Sequence, residues 1–190
     1  MKNKIFVYLL GGFFILFVAT QIFLISNNKK NQPEPNSTEQ EQVVSTPTMA
    51  PSTGSLTLTS ESSTFPVGGN VTISLSAESN EKNIVGYDVV LLYDPVNFEF
   101  ISAESKLPDF KIYSYKKSGY LVLTGVKNLG SQTPTVFDKT DIADLAFQPK
   151  KAGQYTFSLK TSSDKDKTDF ITDNTEVLNP VLNELTVDIE

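Results

Sequence analysis

Three aspartates in the segment SSDKDKTDF are spaced closely enough to act together as ligands for a cation. Asp164, Asp166 and Asp169 offer the clustered carboxylate oxygens that Ca²⁺ prefers. Their spacing does not match an EF-hand loop, which needs Gly at its sixth place and Glu at its twelfth. Lys165 and Lys167 lie between them and would partly neutralise the site. A solvated loop of mixed charge is the favoured interpretation, and no metal site is predicted.

Catalytic chemistry has few candidates in this chain. The sequence contains neither His nor Cys, so His-based triads, His-bearing zinc sites and disulfides are excluded. Glu99 and Glu104 could supply the two carboxylates of a glycosidase, but nothing in the sequence pairs them. No nucleophile, base or cofactor motif is visible. The sequence therefore predicts no catalytic residue, no cofactor and no enzyme activity.

Tyrosines offer a binding chemistry instead. Tyr113, Tyr115 and Tyr120 could stack on the C–H faces of pyranose rings and form a platform for sugars. Tyrosines on neighbouring strands also commonly pack as half-buried cross-strand pairs. Both interpretations stay open, and the absence of Trp, the strongest sugar-stacking side chain, counts modestly against direct sugar binding.

The segment IVGYDVVLLY, residues 84–93, is the strongest predicted strand and carries one carboxylate among aliphatic side chains. If the odd-numbered side chains from Val89 onward face the core, alternation turns Asp88, Val90 and Leu92 outward. Outward apolar side chains on a sheet indicate an interaction surface. Cover by a loop or by the linker, or burial of both strand faces, is the alternative. We predict that these three residues contact a partner.

Short runs of alternating apolar and polar residues after Gly54 predict an all-β domain over residues 55–190. The nine predicted strands include residues 56–58, 71–76, 84–93, 98–102, 110–115, 120–126, 142–147, 155–160 and 185–189. Turn-rich connections between so many strands indicate two packed antiparallel sheets, a β-sandwich. The KKAG segment, residues 150–153, is typical of a hairpin turn between two of these strands. The last strand is expected to lie beside the first.

The N-terminus begins with an uncharged apolar run, IFVYLLGGFFILFVATQIFLI, at residues 5–25. As an α-helix this run would extend about 31 Å, close to the hydrocarbon thickness of a bilayer. A cleaved signal peptide is the alternative, but its apolar stretch is usually shorter and is followed by small residues, which are missing here. Residues 1–30 are therefore predicted to be a membrane anchor with one transmembrane helix at about residues 5–25.

Residues 31–54 connect the anchor to the sandwich and are dominated by Pro, Ser, Thr, Gln and Glu. Such a segment cannot bury enough apolar area to offset its ordering entropy, so a disordered linker is predicted. Lysines flank the apolar run on both sides, and the positive-inside rule is nearly balanced. A stalk rich in Pro, Ser and Thr before a sandwich favours a single-pass protein of the cell membrane with its sandwich on the extracellular side.

The charge distribution argues against nucleic acid as a partner. The chain has a formal net charge of −6, and its first 30 residues contain four lysines and no acid. The remaining residues carry 12 basic and 22 acidic side chains, a net charge of −10. An acidic surface without basic clusters repels phosphate backbones.

Four blocks of the predicted sandwich occur in the order found in a known family. They are VGGNVTISLSA (67–77), NIVGYDVVLLYDPVNFEFISAE (83–104), GYLVLTGV (119–126) and DIADLAFQPKKAGQYTFSL (141–159). Together they resemble a cohesin module over nearly the whole sandwich, with most information in a strand that ends in Y-D-P. The resemblance implies a nine-stranded jelly-roll sandwich that binds calcium-loaded dockerin modules. It also implies a partner face that includes residues 86–93, with Asp88 where the family often places an acidic dockerin contact.

Three functions follow from these observations. The leading hypothesis is a non-catalytic cell-surface module that docks a dockerin-type or other protein partner, plausibly in the binding or degradation of polysaccharide. Cohesins also resemble carbohydrate-binding modules, so direct binding of polysaccharide is the second hypothesis. The third is a structural or adhesive subunit of a surface assembly. Fold alone does not separate these functions.

Overall fold

Alternating side chains form strands throughout the part of the chain that the computed structural model describes, residues 54–190. No helix in these residues is long and apolar enough to cross a membrane, and the predicted anchor and linker lie outside them, apart from Gly54. The strands are β1 (Ser55–Ser60), β2 (Thr64–Phe65), β3 (Val71–Glu78), β4 (Ile84–Leu92), β5 (Phe98–Ser105), β6 (Phe110–Lys116), β7 (Tyr120–Lys127), β8 (Thr140–Pro149), β9 (Gly153–Lys160), β10 (Ser162–Ser163), β11 (Asp166–Lys167), β12 (Asp169–Thr172), β13 (Val177–Leu178), β14 (Val181–Leu182) and β15 (Glu184–Ile189).

The predicted fold class, an all-β sandwich, is confirmed. Each of the nine predicted strands overlaps one of the nine described strands that are six or more residues long. The alternation is clearest in β3, where every second side chain from Val71 to Ala77 is buried. The sequence did not predict β12 or the strands of two residues, because segments this short show too few alternations to form a pattern.

Two sheets enclose the core. The first has the strand order β14-β1-β3-β8-β5, and the second has the order β13-β12-β4-β9-β15-β2. In the second sheet β7 also pairs with β4, and β6 pairs with β7. The long strands pair antiparallel, while the short strands β14 and β2 pair parallel with β1 and β15. The chain therefore crosses repeatedly between the layers, as in a jelly roll.

The last strand does not lie beside the first, contrary to the prediction. It pairs with β9 and β2 in the second sheet, while β1 pairs with β3 and β14 in the first. The edge of β1 that the last strand would need is occupied by β14. Beyond β14 the Asn183 side chain occupies the same edge of β1. Its Oδ1 accepts a hydrogen bond from the Leu58 N–H at 2.8 Å, and its Nδ2 donates to the Leu58 carbonyl at 3.2 Å.

Residues 150–153 do not form a hairpin turn between paired strands either. They join β8 of the first sheet to β9 of the second, so this tight turn crosses between the layers. Gly153 ends the turn with a φ of 148°, a value that favours glycine. A turn sequence predicts a change of chain direction, but it does not predict whether the next strand belongs to the same sheet.

Aromatic side chains fill the space between the sheets. Phe147 on β8 is the centre of one group, with ring centroids 4.9 Å from Phe157, 5.3 Å from Tyr93 and 5.4 Å from Phe100. Rings at these distances pack edge-on or tilted, which is favourable for their quadrupoles. Because the chain has no Cys, the sandwich depends on this burial and on its strand ladders for stability.

A glycine on β7 makes room for a core tyrosine on β4. Tyr87 is 1% exposed, and it lies directly opposite Gly125 in the ladder between the two strands. A Cβ atom at Gly125 would lie 2.1 Å from the Tyr87 ring, far inside van der Waals contact. Any side chain at position 125 would therefore displace the tyrosine or separate the strands.

Gly125→Ala is expected to destabilise residues 54–190 by about 1–3 kcal/mol, because the added methyl group overpacks the core against Tyr87. Gly86→Ala is the matched control, since a Cβ there would meet its nearest atom, the Gly125 carbonyl oxygen, at 3.4 Å. Urea denaturation followed by circular dichroism measures both. Equal denaturation midpoints for the two variants would show that the close approach of Tyr87 to Gly125 does not constrain the fold.

Candidate functional site

Strand β4 lies in the interior of the second sheet and has two different faces. Its inward side chains Val89 and Leu91 are fully buried in the core, as predicted. One edge of the strand pairs with β7 along residues 86–92. The other edge pairs first with β12 and then with β9. The outward side chains of β4 therefore lie in the middle of a broad surface formed by β6, β7, β4 and β12, which we call the outer face.

The strand beside β4 is interrupted by a hairpin. Lys160 at the end of β9 pairs with Val90, and Asp169 at the start of β12 pairs with Asp88. Between these two positions the chain leaves the sheet, forms the hairpin of β10 and β11, and returns in the same direction. The hairpin reverses at Asp164, whose φ of 51° is a left-handed value that aspartate tolerates.

Thr168 closes the gap that the hairpin leaves in the ladder. Its Oγ1 accepts a hydrogen bond from the Val90 N–H at 2.8 Å and donates to the Lys160 carbonyl at 2.6 Å. Its own N–H donates to the Thr161 carbonyl at 3.0 Å. Thr168 is 2% exposed and Val90 is fully buried, so a Val90 N–H without this partner would carry the full cost of an unpaired buried polar group. Thr168 thus fixes the base of the hairpin to the sheet.

The hairpin covers part of the outer face, which corrects one prediction. Val90 points away from the core as predicted, yet it is fully buried in a second apolar cluster with Tyr120 and Val122. Leu92 is half-buried and packs against that cluster. The expectation that Val90 lies on an open apolar surface is therefore wrong, whereas Leu92 is still partly exposed, and contact of these residues with a partner stays a prediction. The strand alternation was correct, but it could not reveal that a segment some seventy residues later returns to cover it.

Tyr120 connects the hairpin to this second cluster. Its hydroxyl lies 3.1 Å from Oδ2 of Asp164 in the hairpin turn and 2.9 Å from Oδ2 of Asp166 at the start of β11. Burial of the phenol, together with these two carboxylate acceptors, raises the pKa of Tyr120 to about 12. The ring is buried and cannot stack on a ligand. Tyr113 and Tyr115, by contrast, are 47% and 51% exposed on β6, so the three tyrosines do not form one platform.

The exposed part of the outer face includes Tyr115 and two complete rows of side chains. Tyr113, Thr124, Asp88 and Asp169 lie side by side across β6, β7, β4 and β12. The next row contains Lys111, Val126, Gly86 and Ile171 in the same strand order. Val126 is 43% exposed and Ile171 is 36% exposed. The face therefore combines aromatic and aliphatic surface with a central pair of carboxylates.

Two of these exposed apolar residues were not predicted. Val126 belongs to the strand GYLVLTGVK, whose alternation could have placed it on the same side as Thr124. Ile171 lies in a strand of four residues with no recognisable pattern, and only its pairing with Gly86 brings it to this face. Gly86 has no side chain to cover its neighbours, and this leaves both apolar residues accessible across it.

The carboxylates of Asp88 and Asp169 face each other across the ladder between β4 and β12. Asp88 accepts a hydrogen bond from the Thr124 hydroxyl at 2.6 Å. Burial raises the pKa of Asp169, and the neighbouring charge of Asp88 raises it further, while Lys167 opposes the effect. Like charges directly opposite each other destabilise a sheet, so this pair costs stability at neutral pH. Titratable groups with perturbed pKa values cluster at functional sites, although structural charge networks also produce them.

The other candidate chemistries are not assembled. Within residues 54–190 no group of three or more acidic side chains is arranged to hold a metal ion. Asp164 and Asp166 turn toward Tyr120, and Asp169 lies across from Asp88. Glu99 lies on β5 and forms an exposed ion pair with Lys150 at 3.5 Å. Glu104 lies on the same strand, opposite Asp144 of β8.

Comparison with known proteins gives one family and one fold. The family model for the cohesin domain matches residues 54–189. No protein sequence of curated function matches the chain significantly.

Three solved structures illustrate the similarity of fold. The cohesin module of a family 33 glycoside hydrolase from Clostridium perfringens aligns with a TM-score of 0.61 and 16% identity, over 73% of this chain and 98% of that one. A type I cohesin in a cohesin–dockerin complex from Clostridium thermocellum gives 0.57 and 15%, over 73% and 94%. A type II cohesin domain from the cellulosome of Acetivibrio cellulolyticus gives 0.55 and 17%, over 71% and 95%.

Asp169→Asn is expected to increase the free energy of unfolding at pH 7 by up to about 1 kcal/mol, because it removes a charge that is disfavoured by burial and by repulsion from Asp88. Because the pKa of Asp169 is raised in the folded state, its charge lowers the free energy of unfolding at every pH above that folded-state pKa. The cost disappears as the pH falls below about 3.9, the ordinary value for Asp. Urea denaturation between pH 4 and pH 7 should show the two proteins converging toward low pH. Exposed Asp138→Asn is the control, and a pH-independent difference for Asp169→Asn would contradict the electrostatic origin.

Proposed function

Since the chain belongs to the cohesin domain family, we propose that its sandwich is a non-catalytic module that docks a dockerin-type protein on the outer face. The observation that carries this proposal is the composition of that face. Exposed Tyr113, Tyr115, Val126 and Ile171 surround the carboxylate of Asp88. Aromatic and aliphatic side chains around a few polar groups are the usual composition of a protein-binding surface.

The first sheet supplies the contrast that selects this face. Its outward side chains on β3 are polar, and two of them, Ser74 and Ser76, donate to acids of β8. The Ser74 hydroxyl donates to Asp144 at 2.9 Å, and Lys106 forms an ion pair with the same carboxylate at 2.9 Å. A surface whose polar groups satisfy each other offers little to a partner. Among the described strands of this sheet, large exposed apolar side chains are limited to Ile101 on β5 and Val181 on β14, the two edge strands. The central carboxylates of the second sheet are compensated less completely, because Asp88 accepts a hydrogen bond from Thr124 while Lys167 only partly offsets the effects of burial and of Asp88 on Asp169.

The partner chemistry follows from the same residues. A complementary surface would present apolar side chains to Val126 and Ile171 and hydrogen-bond donors to Asp88, which uses one oxygen for Thr124. Donors near Asp88 and Asp169 would also relieve the repulsion between the two carboxylates. A dockerin helix carrying hydroxyl or basic side chains beside aliphatic ones meets these requirements.

The cellular setting of the proposal is the outside of a cell membrane. Its support is in the sequence, where an apolar run at residues 5–25 and a linker at residues 31–54 precede the sandwich. In this arrangement the linker would hold the docking face away from the lipid surface. The docked partner could then bring an enzyme or a polysaccharide-binding module to the cell.

Direct binding of polysaccharide is the second candidate function, and one observation favours it. Tyr113 and Tyr115 are exposed on the same side of β6, two residues apart. Two such rings can stack on successive sugars of a chain. Protein docking has the stronger support because the exposed surface also includes the aliphatic side chains Val126 on β7 and Ile171 on β12, which have no ring face for sugar stacking.

Asp88→Ala is expected to weaken binding of residues 54–190 to a calcium-loaded dockerin about tenfold or more, because it removes a central polar contact. Glu99→Ala, on the outer side of the first sheet, is the matched acidic control and should change the affinity less than twofold. Isothermal titration calorimetry against a panel of dockerins of type I and type II measures both variants.

The same titrations include soluble β-glucan and xylan oligosaccharides. Binding of an oligosaccharide without binding of any dockerin would contradict protein docking and favour the second function. Equal loss of dockerin affinity in Asp88→Ala and Glu99→Ala would contradict the assignment of the outer face.

A further inference from the structure

The hairpin of β10 and β11 is an insertion into a strand that would otherwise be continuous. Lys160 pairs with Val90, and Asp169 pairs with Asp88, so one residue opposite Val89 would complete the ladder. The chain instead places eight residues, 161–168, between these two positions. Both flanking strands run antiparallel to β4. The sheet therefore does not need the hairpin for its connectivity.

The hairpin withdraws an apolar row from the outer face. Val90 and Val122 are paired neighbours on β4 and β7, and both are buried beneath it. They lie one row away from Asp88 and Thr124, which remain accessible. Without the hairpin the aliphatic surface would continue through the centre of the face. The hairpin consequently limits the area of the second sheet that a partner can contact.

The hairpin replaces that row with its own charged side chains. A groove of about 530 Å³ runs between it and the sheet, and its lining includes Lys165, Lys167, Tyr115, Asp88 and the small exposed part of Val122. A partner that contacts the open rows must therefore also pass along this charged edge. Polar complementarity on that side becomes a condition for close docking.

Tyr120 determines the position of this edge. Its ring packs with the covered valines, and its hydroxyl reaches Asp164 in the turn of the hairpin and Asp166 directly after it. At the base, Thr168 holds the Val90 N–H. The tip and the base are thus fixed to the sheet by separate hydrogen bonds.

We propose that the hairpin is a specificity-determining element of the docking face. It keeps an apolar row from partners and presents a charged edge, so it admits dockerins with matching charges and excludes those that need a flat apolar surface. This inference rests on the proposed docking function.

Tyr120→Phe tests how the hairpin is held. It keeps the ring in the apolar cluster and removes the hydrogen bond to Asp164 and Asp166. Hydrogen exchange of the Val90 and Thr168 amides should accelerate roughly tenfold, the change expected for losing a bond to a charged group. Tyr155→Phe is the control, because its hydroxyl donates to the Lys151 carbonyl away from the hairpin. Unchanged exchange at both amides would overturn the role of Tyr120.

A deletion variant tests what the hairpin does. Removal of residues 161–167 leaves position 168 opposite Val89, and Thr168→Val in the same variant gives that inward position an apolar side chain. Titration of wild type, Tyr120→Phe and the deletion variant against the dockerin panel should show changed preferences. The deletion variant should gain at least about tenfold affinity for the dockerins with the most apolar helices. Affinities within twofold for all three proteins and every dockerin would overturn the inference.

Absence of binding by all three proteins would contradict the proposed docking function. Fluorescence of a hydrophobic dye, which reports exposed apolar surface, then tests whether the hairpin covers an apolar row. If the hairpin covers an apolar row, the folded deletion variant should show several-fold stronger dye fluorescence than wild type. Equal fluorescence would overturn the inference. If circular dichroism shows that the deletion variant does not fold, the hairpin is required for the sheet, and the inference is likewise overturned.

Discussion

The two-faced burial of β4 is the constraint on which the rest of the structure depends. Its inward side chains close the core, with Tyr87 seated over Gly125, and this contact fixes the register against β7. A shift of one residue would turn Asp88 into the core and Tyr87 to the outside. The same register that closes the sandwich therefore also presents Asp88 beside Thr124 on the outer face. Stability and the proposed recognition depend on one strand alignment.

Much of this could be predicted from the sequence, because period-two alternation is a local property. The strands that bury one face repeat it over six or more residues, as β3 does, and the Y-D-P sequence at the end of β4 stops its ladder. The inward positions of Val89 and Leu91 follow directly from the pattern. The resemblance to cohesins extended the same information to the order of the strands, and the family match over residues 54–189 agrees with it.

What could not be predicted depends on contacts between distant segments. Val90 has the alternation of an exposed residue, and a hairpin more than seventy positions later buries it. Ile171 reaches the outer face through pairing with Gly86, and no local pattern specifies that pairing. The last strand joins the second sheet because β14 already occupies the edge of β1. In each case strand pairing, which sequence periodicity does not encode, determines the environment of the side chain.

Amide chemical-shift mapping tests the assignment of the outer face most directly. In ¹⁵N-labelled residues 54–190, addition of a calcium-loaded dockerin should shift the signals of β4, β6, β7 and β12, with the largest changes near Asp88, Thr124 and Ile171. Signals of β1, β3 and β8 should stay in place. Shifts concentrated on the first sheet, or none with any dockerin of the panel, would contradict a docking function for this face.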